Sequence, residues 1–297
     1  MKKNTCGGFG TMRSVKHEVF PYNESVYLAS LVISEFYSNY PYMDNGFTMF
    51  LECEKDRIPM KLAVSSKVTV LHLFIEWNYG NVRSIYDTLR DTDYDESYLE
   101  AEEKNISLFA TISLPRPGLE HGDDEECTGY GNCEICTGIR EYTNHLESLK
   151  RKAVPYIIHS AFHIIMLNKA FLVDFHTRLG QWVLENHDFL NQTIPSFITK
   201  AGKIKRMSNW PAWLKKGIFF RDKGVCTICR NPLSGDLFLG IDPDMDHIVP
   251  LSLYGTNDPS NIQILCNVCN NSKRDYSSAT SFFDIPYWNL EDDNELI

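Results

Sequence analysis

The sequence predicts an α+β protein, with a small metal-stapled module of two strands and a helix near its end, behind a larger, mixed and largely helical α/β domain. Three observations predict it. Two CxxC pairs, Cys226/Cys229 and Cys266/Cys269, bracket 36 residues that include short β-prone runs. Upstream, apolar residues recur at helical spacing. The charge also changes sign. Residues 1–200 carry 19 Lys+Arg against 27 Asp+Glu, whereas residues 201–230 carry eight bases against one acid, Asp222.

A chain of 297 residues is comfortable for two domains, and 43% hydrophobic with 23% charged residues is a globular rather than a disordered composition. The opening "MKKNTCGGFGTMRS" puts no apolar run behind its lysines, so a secretory signal is not expected and a cytoplasmic protein is. In that setting nine cysteines point to reduced thiols or metal ligands rather than a disulfide framework. Residues 154–175 are apolar enough to span a bilayer. His159, His163, Asn168, Lys169 and Asp174 among them instead predict a buried helix of a soluble domain, with no membrane partner.

Along the chain, "NESVYLASLVISEFYSNY" (23–40) reads as a helix capped by Asn23. "FTMFLECEK" (47–55), "VTVLHLFIEW" (68–77) and "ISLFATISLP" (106–115) read as strands, the last stopped by Pro115. The Gly-, Pro- and acid-rich stretch 115–140 must be loop, and residues 142–190 are helical, as one long apolar helix or two broken near Gly180. "NQTIPSFITKAGKIKRMSNW" reads as a connector. The expected division is an acidic domain 1–200, a module 205–280 and an acidic tail 281–297.

Two CxxC turns close a tetrahedron around zinc, so Cys226, Cys229, Cys266 and Cys269 are expected to hold one ion. A site with four cysteines has no open position, and its zinc is structural. Between the knuckles lie "DPDMDHIVPLS" and "GTNDPSNIQILC", and "CNNSKRD" follows. Asp246 and His247 are adjacent, and adjacent strand residues face opposite ways, so a bulge or twist is expected to bring them together.

CxxC, DHIVP, a Gly-Thr-Asn-Asp loop, Asn-x-Gln-x-Leu-Cys and CN-x-x-K, in this order from Arg221 to Arg274, resemble the HNH endonuclease family and its ββα-metal core. The resemblance implies hydrolysis of DNA phosphodiester bonds with a divalent metal, and a setting in restriction, anti-phage defence or a mobile element. It implies that Asn261 holds the loop and orients the histidine, and that Asn270 stands where many members carry a last histidine. The chemistry of the residues agrees. His247, with an ordinary pKa of ~6.5, can act as general base at neutral pH. Asp246 and Asn270 offer oxygens to Mg²⁺ or Mn²⁺. Lys273, Arg274 and Arg221 are expected to contact phosphate.

A second zinc site built from Cys127, Cys133 and Cys136, with His121 or alternatively His145 as fourth ligand, competes with an exposed acidic loop carrying incidental thiols and with redox-sensing thiols. His159 and His163, one helical turn apart but lacking an HExxH glutamate, read as satisfied buried histidines. The acidic domain is expected to select substrate or bind a regulatory protein. Two other functions stay open: a zinc-stabilised binding module without catalysis, and an RNase using the same core.

Overall fold

The computed structural model describes residues 22–38, 46–89, 96–107, 110–119, 133–233 and 243–281. The chain falls into two compact units, Met1–Pro21 with Thr92–Tyr156, and Tyr22–Asp91 with Ile157–Ile297. The segment near residue 200 therefore lies inside the second unit. The expected tail 281–297 falls outside the described residues except for Ser281.

In the first unit, Glu96–Ser107 and the opening part of Glu134–Ile165 bury Leu99, Ile106, Tyr142 and Leu146 together. Ile112, Leu119 and Leu149 pack beside them. Among the described residues of 106–115 the expected strand is absent. Ile106 belongs to the last turn of a helix, and residues 110–119 form no regular element. Arg116 lies within ion-pair distance of Glu96, Glu100 and Glu103, and Tyr142 donates to Glu103 at 2.8 Å. Residues 92–156 carry 14 acids against six bases, so this stretch is strongly acidic.

The second unit is built from α1 (Tyr22–Tyr37), α2 (Gly46–Cys53), α3 (Pro59–Ala63), α4 (Val70–Leu89), α5 (Lys169–Glu185) and α6 (His187–Thr193). Phe36, Phe47, Phe50, Phe74, Phe171 and Phe175 form its core, with many rings meeting edge to face. Two expected strands are helices here. In α2 the buried residues Phe47, Phe50 and Leu51 follow a helical spacing. In α4 every residue from Val70 to Ile75 is buried, and a continuous apolar run does not distinguish a strand from a buried helix. Thr69 starts α4 by accepting from the His72 amide at 3.2 Å, while its own amide donates to His72 Nδ1 at 3.2 Å. This is a capping box with histidine in the acid's place.

The helical break falls at residues 166–168 rather than Gly180, because Asn168 caps α5 by accepting from the Phe171 amide at 3.0 Å. The chain bends by 104° there, and among the described residues no single helix is long and apolar enough to cross a membrane. Gly180 lies within α5, where a Cβ would meet the Leu253 and Tyr254 carbonyl oxygens at 3.2 Å. The connector contains a short 3₁₀ turn, Pro195–Phe197, and an Ile198–Ile204 bridge.

The remaining elements are α7 (Ala212–Arg221), β1 (Asp244–His247), β2 (Ile262–Leu265) and α8 (Asn267–Lys273). β1 and β2 pair antiparallel, with Asp246 opposite Gln263 and His247 opposite Ile262. α7 packs on β2, and α8 packs on both strands. The architecture is α+β, with all its described strands in this module.

Candidate active site and metal centre

The four cysteines come together as the spacing requires. The Sγ atoms of Cys226, Cys229, Cys266 and Cys269 all lie within 4.8 Å of one another, and those of Cys229 and Cys266 are 3.8 Å apart. A tetrahedron with Zn–S bonds of ~2.3 Å has edges of about 3.8 Å, so the donor set fits zinc in size and in chemistry. The first knuckle turns through Lys223, Gly224 and Arg230 at positive φ, and the Cys226 amide donates to the Asn231 carbonyl at 2.9 Å. The second opens α8, whose cap is Cys266 itself, its Sγ accepting from the Cys269 amide at 3.4 Å.

β1 carries Asp246 and His247 to opposite faces without a bulge, and this regular pairing replaces the expected one. On one face, Asp246 Oδ2 accepts from Gln263 Nε2 and Lys273 Nζ, each at 2.9 Å. Gln263 is held by Thr227 and Thr280, whose hydroxyls donate to its Oε1 at 2.9 and 2.8 Å. Both bonds to Asp246 converge on one oxygen, which leaves Oδ1 for a cation. Asn270 is half-buried one turn before Lys273 on the same face of α8, so the helix that delivers Lys273 to Asp246 brings Asn270 to the same side. A carboxylate oxygen and an amide oxygen suit a hard divalent ion.

On the other face, His247 is buried, and its Nε2 lies 3.1 Å from Asn257 Oδ1. The Asn257 amide cannot be turned round, because its Nδ2 donates to the Ala63 and Lys205 carbonyls, both at 2.8 Å. Asn257 Oδ1 therefore accepts, Nε2 carries the proton, and Nδ1 keeps its lone pair. Burial pushes the His247 pKa down to about 4; Arg206 and Lys273 add to the shift, and the Asn257 bond opposes it. The expectation of an ordinary histidine pKa is thus corrected: the ring is neutral throughout the physiological range. The Trp210 ring lies 5.4 Å away, centre to centre.

Asn261 is fully buried and braces the loop between the strands. It donates to the Val249 and Thr256 carbonyls at 3.0 and 2.9 Å and accepts from the Val249 amide at 2.9 Å. The helices clamp the same loop from outside. Asp258 accepts from the Val70 amide at 2.7 Å, His176 meets Ser260 Oγ at 2.9 Å, and the Asn257 amide donates to Leu62 O at 2.9 Å.

The residues expected at phosphate are placed differently. Lys273 is buried against Asp246 and donates to the His247 carbonyl at 2.7 Å. Arg221 grips Asp222 through Nε and Nη2, both at 2.7 Å, and donates to Ile262 O. Burial would raise the Asp222 carboxyl, but Arg221 and then Lys169 hold it below its ordinary value. Of the three bases, Arg274 is the exposed one.

His121 and Cys127 lie outside the described residues. Cys133 caps its helix by accepting from the Cys136 amide at 3.3 Å, and His145 lies 3.4 Å from Ser113 Oγ. His159 and His163 are satisfied but exposed rather than buried, joined through Nε2 at 3.1 Å, with His72 at 3.1 Å from the other side of His159.

The sequence reading missed Asn257, Gln263 and Trp210. The signal for Asn257 was a polar loop too dense in Asn, Asp, Ser and Thr to be an ordinary turn.

Two strands, a helix and four clustered cysteines that could hold zinc, with a buried histidine at the end of the first strand, define a ββα module. Residues 226–275 match the family model described as HNH endonuclease, and this part of the chain is an HNH domain. No curated protein and no solved structure matches the chain.

Proposed function

We propose that the HNH domain hydrolyses phosphodiester bonds of DNA with a divalent cation, Mg²⁺ or Mn²⁺, held by Asp246 Oδ1 and Asn270. The observation that carries this reading is the His247–Asn257 bond, which leaves Nδ1 of a neutral imidazole free to take a proton from water. Asn261 keeps that loop in shape, and Lys273 and Gln263 orient the Asp246 carboxylate. When bound, the cation would polarise the phosphate and stabilise the leaving oxygen. The zinc has a separate role and supports α8. DNA as substrate is supported by the family match and the excess of basic residues at 201–230. We assign partner or substrate selection to the acidic unit around residues 92–156, since its charge disfavours a phosphate backbone.

Supercoiled plasmid incubated with Mg²⁺ or Mn²⁺ tests the reading. Wild type should relax or linearise it, EDTA should abolish cleavage, and His247→Ala should lower the rate by about 10²–10⁴-fold. Equal, undiminished plasmid with both proteins would overturn the enzyme reading and leave a binding module. Faster turnover of RNA in a parallel assay would overturn the choice of DNA.

A further inference from the structure

The helix that leads into the first zinc knuckle has its apolar residues on the wrong side for a purely structural role. Leu214 and Ile218, four residues apart, face inward and are buried, and Arg221 continues that row toward Ile262. On the outward side, Trp213, Lys216, Gly217 and Phe220 recur at the spacing of one helical face. Trp213 is 37% and Phe220 is 76% exposed, while a Cβ at Gly217 would meet nothing within 4 Å. Seven residues of helix set the two rings about 10 Å apart. Lys67 reaches over Trp213, its Nζ 5.9 Å from the ring centre. The start of this helix adjoins the site, since Trp210 packs on His247.

Within the segment that carries this face, the exposed charge is of one sign. Asp222, the only acid among residues 201–230, is buried in ion pairs with Lys169 and Arg221, whereas Lys205, Arg206, Lys215 and Lys216 are exposed. Exposed aromatic rings interleaved with lysines match an unpaired strand, whose bases offer π-faces and whose phosphates offer charge. A duplex keeps its base faces covered and would need only the lysines.

We propose that the outward face of α7 binds a single-stranded segment of nucleic acid beside the scissile phosphate, with bases stacked on Trp213 and Phe220 and the backbone on Lys216. About 10 Å accommodates roughly three nucleotides at the ~3.4 Å stacking rise. This rests on the nuclease reading and names its substrate as DNA that is unpaired or locally opened next to the cut.

The test uses the full chain carrying His247→Ala, a fluorescein-labelled oligothymidine, and a labelled duplex of equal length, read by anisotropy. The single strand should bind more tightly. Trp213→Ala and Phe220→Ala should each weaken it roughly fivefold or more, and Trp213→Tyr should restore most of the affinity. Lys216→Ala should flatten the salt dependence by about 0.7 in the log–log slope. Zinc content and thermal unfolding of these surface variants should match the parent. Unchanged single-strand binding in the Trp213→Ala/Phe220→Ala variant would overturn the proposal. So would tighter binding of the duplex, or a dimer that this variant dissociates on gel filtration. Cleavage by the His247-containing chain separates the two readings. A chain that binds through both rings but never cuts defeats only the nuclease reading. A chain that cuts duplex and is indifferent to both rings defeats only this one.

Discussion

The two halves of the HNH domain are held in opposite ways. The loop between the strands is polar and sealed: Thr256, Asn257, Asp258, Ser260 and Asn261 are each 0% exposed. Burying such groups is costly unless each finds a partner, and here the partners come from α3, α4, α5 and the loop itself. The knuckle half has little of this cover. Cys229 is exposed, Cys266 and Cys269 are half-exposed, and Asn267 and Val268 face outward. His247, the proposed base, is therefore positioned by protein contacts, whereas the helix carrying Asn270 starts at the cysteine cluster that could hold zinc. On the proposed reading, one half of the site folds with the body and the other depends on an ion.

Removing zinc should break this contrast most forcefully. Structural sites of this kind are worth about 10–16 kcal/mol in isolated peptides. A strong chelator, or Cys266→Ala, should therefore abolish cleavage and expose the knuckle and α8 to hydrogen exchange, while the loop amides of Asn257 and Asn261 stay protected. Elemental analysis should find about one tightly held zinc per chain. Loss of protection in both halves together would show that they are not independently held.

Asn257→Ala attacks the other half. It strips a partner from His247, Ala63 and Lys205 at once, so kcat should fall by about 10²-fold while the zinc remains bound. Stability should drop by about 1–3 kcal/mol from the unpaired groups. An unchanged rate would mean that the imidazole is oriented by something else.

Acid probes the sealed side by a separate route. Burial, and for His72 also the neighbouring His159 and His163, pushes the pKa values of His72 and His176 down to about 3. The unfolded chain takes up these protons near pH 6.5, and the folded chain does so only near pH 3. Their neutral form favours the fold fully above pH 6.5, and this stability drains away as pH falls from about 6.5 toward 3. Two such groups contribute a slope of about 2.7 kcal/mol per pH unit in the middle of that window. Denaturant midpoints from pH 7 to 4.5 check it, and His176→Gln should reduce the slope by about one proton.

Most of the site was legible. The CxxC spacing brings the four candidate zinc ligands together because a knuckle is local geometry, and the proposed aspartate–histidine pair and both asparagines lie in short segments that are read in order. Lys273 and Arg221 were misread as phosphate contacts. A basic side chain near an anionic substrate and one paired with a buried carboxylate look the same in sequence, and only Asp246 and Asp222 in place tell them apart. The strands expected at 47–55 and 68–77 became helices for a related reason. Short runs rich in apolar, β-branched and aromatic residues fit either element, and the aromatic core around Phe36 and Phe74 decides what they pack against.

The sequence by itself determined the four-cysteine cluster, the proposed base His247 and the α+β class, since each depends on residues a few positions apart. Tertiary structure decided which imidazole nitrogen of His247 is unbonded, which Asp246 oxygen takes the bonds from Gln263 and Lys273, and where His247 is anchored. Those depend on Asn257 meeting Ala63 and Lys205, and on Lys273 meeting Asp246, contacts between segments far apart in the chain that form only when the helices close over the loop.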